Sequence, residues 1–105
     1  MPEWSVLQRP KLERIVEIEF DEAKRQLTLR MRGLDFARTN EIFDGAEFTW
    51  IDDRVEYGEV RYNTFGMLDQ RLVAVTWTVR AGARRIISMR KANDREQARY
   101  RRFLD

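Results

Sequence analysis

The segment Ile15-Val16-Glu17-Ile18-Glu19-Phe20 alternates, with Val16, Ile18 and Phe20 on one side and Glu17 and Glu19 on the other. That period of two predicts a half-buried strand. Immediately after it the spacing becomes helical. Ala23, Leu27 and Met31 fall four apart on one stripe, Asp21 stands where an N-cap belongs, and Gly33 follows Arg32 as a C′ residue, so an amphipathic helix is predicted up to about Arg32. Asp35 then caps a short helix that buries Phe36, Ile42 and Phe43, and Asp44-Gly45 ends it.

From there the pattern is that of a sheet. Phe48 to Ile51 is a short strand closed by Asp52-Asp53, and Glu59 to Phe65 is a second one with Val60 and Tyr62 on one face. Gly66 to Gln70 reads as a turn. Leu72 to Val79 is almost continuously apolar and rich in β-formers, which predicts a central strand covered on both sides. Ala81-Gly82-Ala83 turns the chain into a last strand, Arg84 to Lys91. Simple alternation there groups Ile86, Ser88 and Arg90 on one face and Arg85, Ile87, Met89 and Lys91 on the other. Asn93-Asp94-Arg95-Glu96 fits a capping box, with Asn93 in place of Ser or Thr, and opens a helix through about Leu104. The expected fold class is α+β: an antiparallel sheet of about four to five strands, two N-terminal helices and one C-terminal helix, with the helices gathered on one side. Residues 14–105 form one domain. Met1 to Glu13 holds both prolines and no clear period, and reads as an N-terminal extension.

Composition narrows the chemistry. A length of 105 residues suits one core. There is no cysteine, so disulfides and thiolate chemistry are excluded and a reducing cytoplasm is the expected setting; there is no histidine, so the usual general base and the commonest transition-metal ligand are missing too. No metal or other cofactor is called for. No apolar run is long enough to span a membrane. The balance of +2 conceals a split: Arg71 to Asp105 carries +7 and Met1 to Gln70 carries −5. A positive field concentrated on adjacent elements suits a phosphate backbone or an acidic protein partner.

Within that basic region, Ser88 and Arg90 are two residues apart on one strand, and Arg80 ends the neighbouring one. Arginine clamps phosphate oxygens and stabilises the added charge of a phosphorane-like transition state, and a serine hydroxyl can hold the phosphate or the reacting 2′-hydroxyl. The alternative is a solvated face with an ordinary strand serine. Arg84, Arg85 and Lys91 on the strand, with Arg95 and Arg99 on the helix, are candidates for tracking an RNA backbone, against the alternative of a solvated or partner-binding helix. Trp50 and Trp77 can in principle stack bases, although Trp77 lies in the most apolar strand and reads as core.

Three strings then carry a resemblance: Phe20-Asp21-Glu22-Ala23-Lys24; Leu29-Arg30-Met31-Arg32-Gly33-Leu34-Asp35-Phe36 with Glu41-Ile42-Phe43-Asp44; and Arg85-Ile86-Ile87-Ser88-Met89-Arg90-Lys91-Ala92 with Arg95-Glu96 and Tyr100. In this order and spacing they resemble the BrnT family of toxins from type II toxin–antitoxin systems. The resemblance spans roughly Val16 to Arg102. It implies a RelE-like fold, a ribonuclease that halts translation, and RNA as substrate. It also implies a BrnA-type antitoxin with a DNA-binding domain, and contact with operator DNA only through that complex. Ser88 and Arg90 match the family's last-strand pair and Arg80 its preceding arginine. Arg32 stands where the family usually has histidine before the glycine. The implied catalytic set is therefore Arg80, Ser88, Arg90 and Arg32, in a metal-independent endoribonuclease. A protein that keeps antitoxin or nucleic-acid binding without turnover is the alternative.

Overall fold

The computed structural model describes residues 17–53 and 58–104. The expectations for the 1–13 extension and for Ile15 and Val16 lie outside the described residues. Ile18–Glu19 forms β1 and Glu22–Arg32 forms helix α1. Both ends of α1 close as their residues predict. The Asp21 carboxylate accepts from the Lys24 N–H at 2.9 Å, and Gly33, at φ 69°, returns its N–H to the Leu29 carbonyl. The apolar stripe is a different matter. Leu27 is 51% exposed and Met31 72%, and no residue of α1 is buried. Polar contacts hold the helix instead. Arg25 makes a two-pronged bond to Asp35, at 2.8 and 3.2 Å. Phe20 and Leu34, flanking the helix in sequence, reach the core.

Asp35 accepts from the Ala37 N–H and caps a 3₁₀ turn, Phe36–Arg38, which passes into a separate helix α2, Thr39–Phe43. One short helix was expected. The chain tightens because the Thr39 hydroxyl donates back to the Phe36 carbonyl at 2.9 Å. Phe36 and Ile42 are fully buried and Phe43 partly so.

Four longer strands follow: β2, Phe48–Asp52; β3, Arg61–Leu68; β4, Arg71–Arg80; and β5, Ala83–Lys91. Their order in the sheet is β1-β5-β4-β3-β2. β2 to β5 are antiparallel neighbours, but β1 joins β5 in parallel, so the five-stranded sheet is mixed rather than antiparallel. A hairpin cannot connect β1 to β5, because all the other strands and both N-terminal helices intervene in the chain. β3 also runs past the predicted turn at Gly66. The turn is made by Asp69 and Gln70, at φ 53° and 64°, as a two-residue hairpin with both central residues left-handed. Gly66 serves contact rather than turning, since a Cβ there would meet Ile42 Cγ2 at 2.4 Å.

The last helix, α3, spans Asp94–Leu104. Its capping box closes in both directions: Glu96 N–H donates to Asn93 Oδ1 and Asn93 N–H to Glu96 Oε1, each at 2.9 Å. The helices are not gathered on one side. Leu34, Phe36 and Ile42 cover a first face of the sheet carrying Tyr62, Val73, Val75, Trp77, Ile86 and Met89. Tyr100 of α3, with Phe103, packs instead on a second face, against Phe48, Phe65, Leu72 and Ala74. The Ala92 N–H bonds the Leu72 carbonyl, so the chain is led over the end of β4 before α3 begins.

One irregularity matters for the site. β4 pairs Thr76 with Ser88 but Trp77 with Ile86, so Ile87 is an extra residue in β5, a β-bulge. Alternation changes phase there. Ile86 and Met89 both belong to the first face, whereas Ser88 stands opposite Thr76 and Arg90 opposite Ala74 on the second. Ile86 is therefore not on the face of Ser88 and Arg90, and Arg85, opposite Thr78, is. Among the described residues no helix is long and apolar enough to cross a membrane.

Candidate nucleic-acid interface on the second sheet face

Strand register sorts the second face into transverse rows. Phe48, Phe65, Ala74 and Arg90 make one; Trp50, Asn63, Thr76 and Ser88 the next; Asp52, Arg61, Thr78 and Arg85 a third, which Glu19 of β1 extends. Neighbouring rows are two residues, or about 7 Å, apart. α3 covers the apolar first row. The other two rows are mostly polar and only partly accessible: Trp50, Asn63, Thr76 and Ser88 are half-buried, as are Arg61 and Arg85, while Asp52 and Thr78 are buried. They are internally ordered: the Thr76 hydroxyl donates to Asn63 Oδ1 at 2.7 Å, and Thr78 donates to the Val60 carbonyl.

The arginines here are held by carboxylates. Arg61 and Arg80 share Glu59, at 3.3 and 3.1 Å, and Arg85 lies 3.7 Å from Glu19. The Arg80 hydrogen bond, more than the Arg61 contact, keeps the Glu59 carboxyl below its usual range. These pairs are at least partly solvent-exposed. Such pairs contribute little to stability and exchange readily for other anions, phosphate among them.

The predicted site residues scatter more widely than expected. Arg80, Ser88 and Arg90 do share the second face, but they do not converge. Arg80 stands opposite Ala83 at the hairpin end and Arg90 opposite Ala74, six residues further along β4, about 20 Å away. Arg90 instead grips Glu96 in α3 with two bonds, at 2.7 and 2.8 Å. Arg32 donates to the Met89 carbonyl at 2.8 Å. Arg84 is 8% exposed on the first face, with its guanidinium carbon 4.1 Å from the Phe43 ring centroid and 5.2 Å from that of Trp77. Burial lowers its pKa. It packs inside the protein and is withdrawn as a backbone-tracking residue. Lys91, paired with Val73, is exposed on the first-face side. Arg85 sits half-buried in the third row, opposite Thr78. Arg95 and Arg99 are exposed on α3, and Arg99 lies over Phe48 and Trp50, 5.5 and 5.4 Å from their centroids.

Three residues of the polar rows escaped the sequence reading: Arg61, Asn63 and Thr76. For Arg61 and Asn63 the signal was present in Arg61-Tyr62-Asn63, where polar side chains flank the buried Tyr62 and mark a strand whose second face is not apolar; Thr76 lay within the apolar run Leu72–Val79.

Residues 20–96 match the family model described as ribonuclease toxin, BrnT, of type II toxin-antitoxin system. No curated protein matches the chain.

Proposed function

The chain belongs to the BrnT family of type II toxin–antitoxin ribonuclease toxins, and from that premise we propose that the polar half of its second sheet face binds and cleaves RNA. The observation that carries this reading is the pair of polar rows with half-buried, solvent-reaching side chains: Ser88 in line with Thr76 and Asn63, and Arg61 and Arg85 one row away. In the proposed reaction the 2′-hydroxyl of one nucleotide gives up its proton to water and attacks the adjacent phosphorus. The bond to the 5′-oxygen breaks, and that oxygen takes a proton from water, leaving a 2′,3′-cyclic phosphate and a 5′-hydroxyl. Ser88 and Arg85 hold the scissile phosphate, and Arg61 and Arg80 hold its neighbour after exchanging Glu59 for phosphate oxygens. Fixed positive charge aimed at a phosphate in transit is a large source of rate, about 10²–10³ per well-placed donor. Arg32 and Arg90 act through position: Arg32 fixes the β5 backbone at Met89, and Arg90 ties α3 to β5. The toxin works in the cytoplasm. It is neutralised by a BrnA-type antitoxin, which brings the complex to operator DNA.

Expression of the chain alone should arrest growth and fragment RNA, and co-expression of its antitoxin should restore growth. In purified protein, Arg85→Ala and Ser88→Ala should each lower the cleavage rate without shifting the melting temperature. Undamaged RNA at full expression defeats the catalytic reading. A second reading, binding without turnover, draws on the engagement of Arg61, Arg80 and Arg85 by carboxylates. Under it, RNA binds and stays intact.

A further inference from the structure

Trp50 lies where the covered and polar parts of the second face meet. It continues the Asn63–Thr76–Ser88 row across β2. Its ring is backed by Phe65, edge-on at 4.7 Å, and by Phe48 at 5.4 Å, and it is only partly buried. Trp77, by contrast, is 1% exposed and stacked on Tyr62 on the first face. Trp50 thus has the rigid apolar support of a core residue while bordering a polar, arginine-lined surface. The side chain over it is Arg99, whose planar guanidinium sits 5.4 Å from the ring centroid. Among the described residues no carboxylate pairs with Arg99. A flat cation resting on an indole face, free to swing into solvent, occupies the space that a flat heterocycle would take.

We propose that Trp50, with Arg99 as its movable cover, is a stacking subsite for one base of a single-stranded RNA lying along the polar Asn63–Thr76–Ser88 row. This rests on the RNA-binding reading of that face and adds to it where a base goes. Phosphates meet Arg61 and Arg85, and a base turned towards α3 stacks on the indole. Asn63, opposite Trp50, accepts from Thr76 through Oδ1, which leaves its amide nitrogen as the donor end beside the bound base. A stacking platform accepts any base because every base has a π-face, so the subsite contributes affinity and registers the strand relative to Ser88. Duplex RNA, with its bases already stacked, gains nothing from it.

The test uses end-labelled 2′-O-methyl oligonucleotides, which lack the attacking hydroxyl, and a matching oligomer of abasic residues. Wild type should bind the base-bearing strand more tightly than the abasic one, and its tryptophan emission should be quenched on binding. Trp50→Leu should weaken binding of the base-bearing strand by about ten- to a hundred-fold and leave the abasic strand unchanged. Trp50→Phe keeps a ring on Phe65 and Phe48, so it should retain most of the affinity while losing the quench. It also serves as the folded control should Trp50→Leu unfold. Equal affinity of wild type and a folded Trp50→Leu for the base-bearing strand, or equal preference for bases in the two, overturns the subsite and leaves RNA binding standing. Failure of wild type to bind either oligomer overturns both.

Discussion

Along β4, Val73, Val75 and Trp77 enter one face of the sheet, while Leu72, Ala74, Thr76 and Thr78 enter the other. The first set lies beneath Phe36, Ile42 and Leu34 in an apolar cluster that extends to Met89. The second set changes character partway: Leu72 and Ala74 are covered by α3, and Thr76, half-buried, and Thr78, buried, continue into polar rows. One face is packed by shape, the other is divided between packing and polar chemistry. Under the proposed RNA-cleaving role, stability and activity fall on opposite sides of one strand, and substitutions should separate them.

The comparison is tested hardest by Phe36→Ala on the packed face. Removing a fully buried ring should cost about 3–5 kcal/mol, seen as a fall in Tm of about 12 °C or more. Ser88→Ala, in the polar rows, should stay within about 0.5 kcal/mol of wild type. Similar losses at the two positions would mean that the polar rows are structural after all.

Arg90→Ala probes the boundary between the two halves of the second face. Arg90 is 48% exposed and Glu96 19%, with two short bonds between them. Losing the pair should cost about 0.5–1 kcal/mol, and a cycle with Glu96→Gln should be non-additive because both changes break the same contact. RNA affinity should fall less than in Arg85→Ala. The reverse order would return Arg90 to the binding surface.

The smallest effects concern the carboxylates. Asp35 is held below its usual range chiefly by Arg25, Glu41 and Asp69 chiefly by Arg38, and Glu59 chiefly by Arg80. Groups lowered in this way add stability above their unfolded values, about pH 4, and that contribution disappears as pH falls through the lowered ones. Urea midpoints should thus be nearly level from pH 7 to 5 and decline below about pH 4. Over the level range Glu59 stays charged and keeps Arg61 and Arg80 occupied. Glu59→Gln should consequently tighten RNA binding at pH 7 with little change in stability. Unchanged affinity would show that those arginines take no part.

Much of this was legible in the chain because the signals were local. Asp21, Gly33 and the Asn93–Glu96 box each specify a helix end with residues no more than four apart, and the structure closes all of them. What was missed depended on distant partners. The parallel pairing of Ile18 with Arg84 joins opposite ends of the chain. The stripe of Ala23, Leu27 and Met31 has the period of a buried face, but period does not say whether a neighbour arrives to cover it. At the site, alternation through β5 failed at Ile87, since a bulge is set by the pairing strand. It moved Ile86 and Arg85 across the sheet and left Ser88 beside Thr76. Arg84 looked like its basic neighbours, and its packing against Phe43, far off in sequence, and Trp77 reveals it as a packing residue.

The short β1 has a consequence for the solubility of the isolated subunit. It pairs with Arg84 and Arg85 alone, so among the described residues the outer edge of β5 from Ile86 to Lys91 has no strand beside it. An exposed edge of that length invites another molecule to add a strand, the first step of aggregation. Three features oppose this. Arg32 occupies the Met89 carbonyl, the bulge at Ile87 interrupts the hydrogen-bonding rhythm an incoming strand would need, and the edge ends in the exposed charges of Arg90 and Lys91. Arg32 thus guards the seam of an otherwise uncovered strand edge.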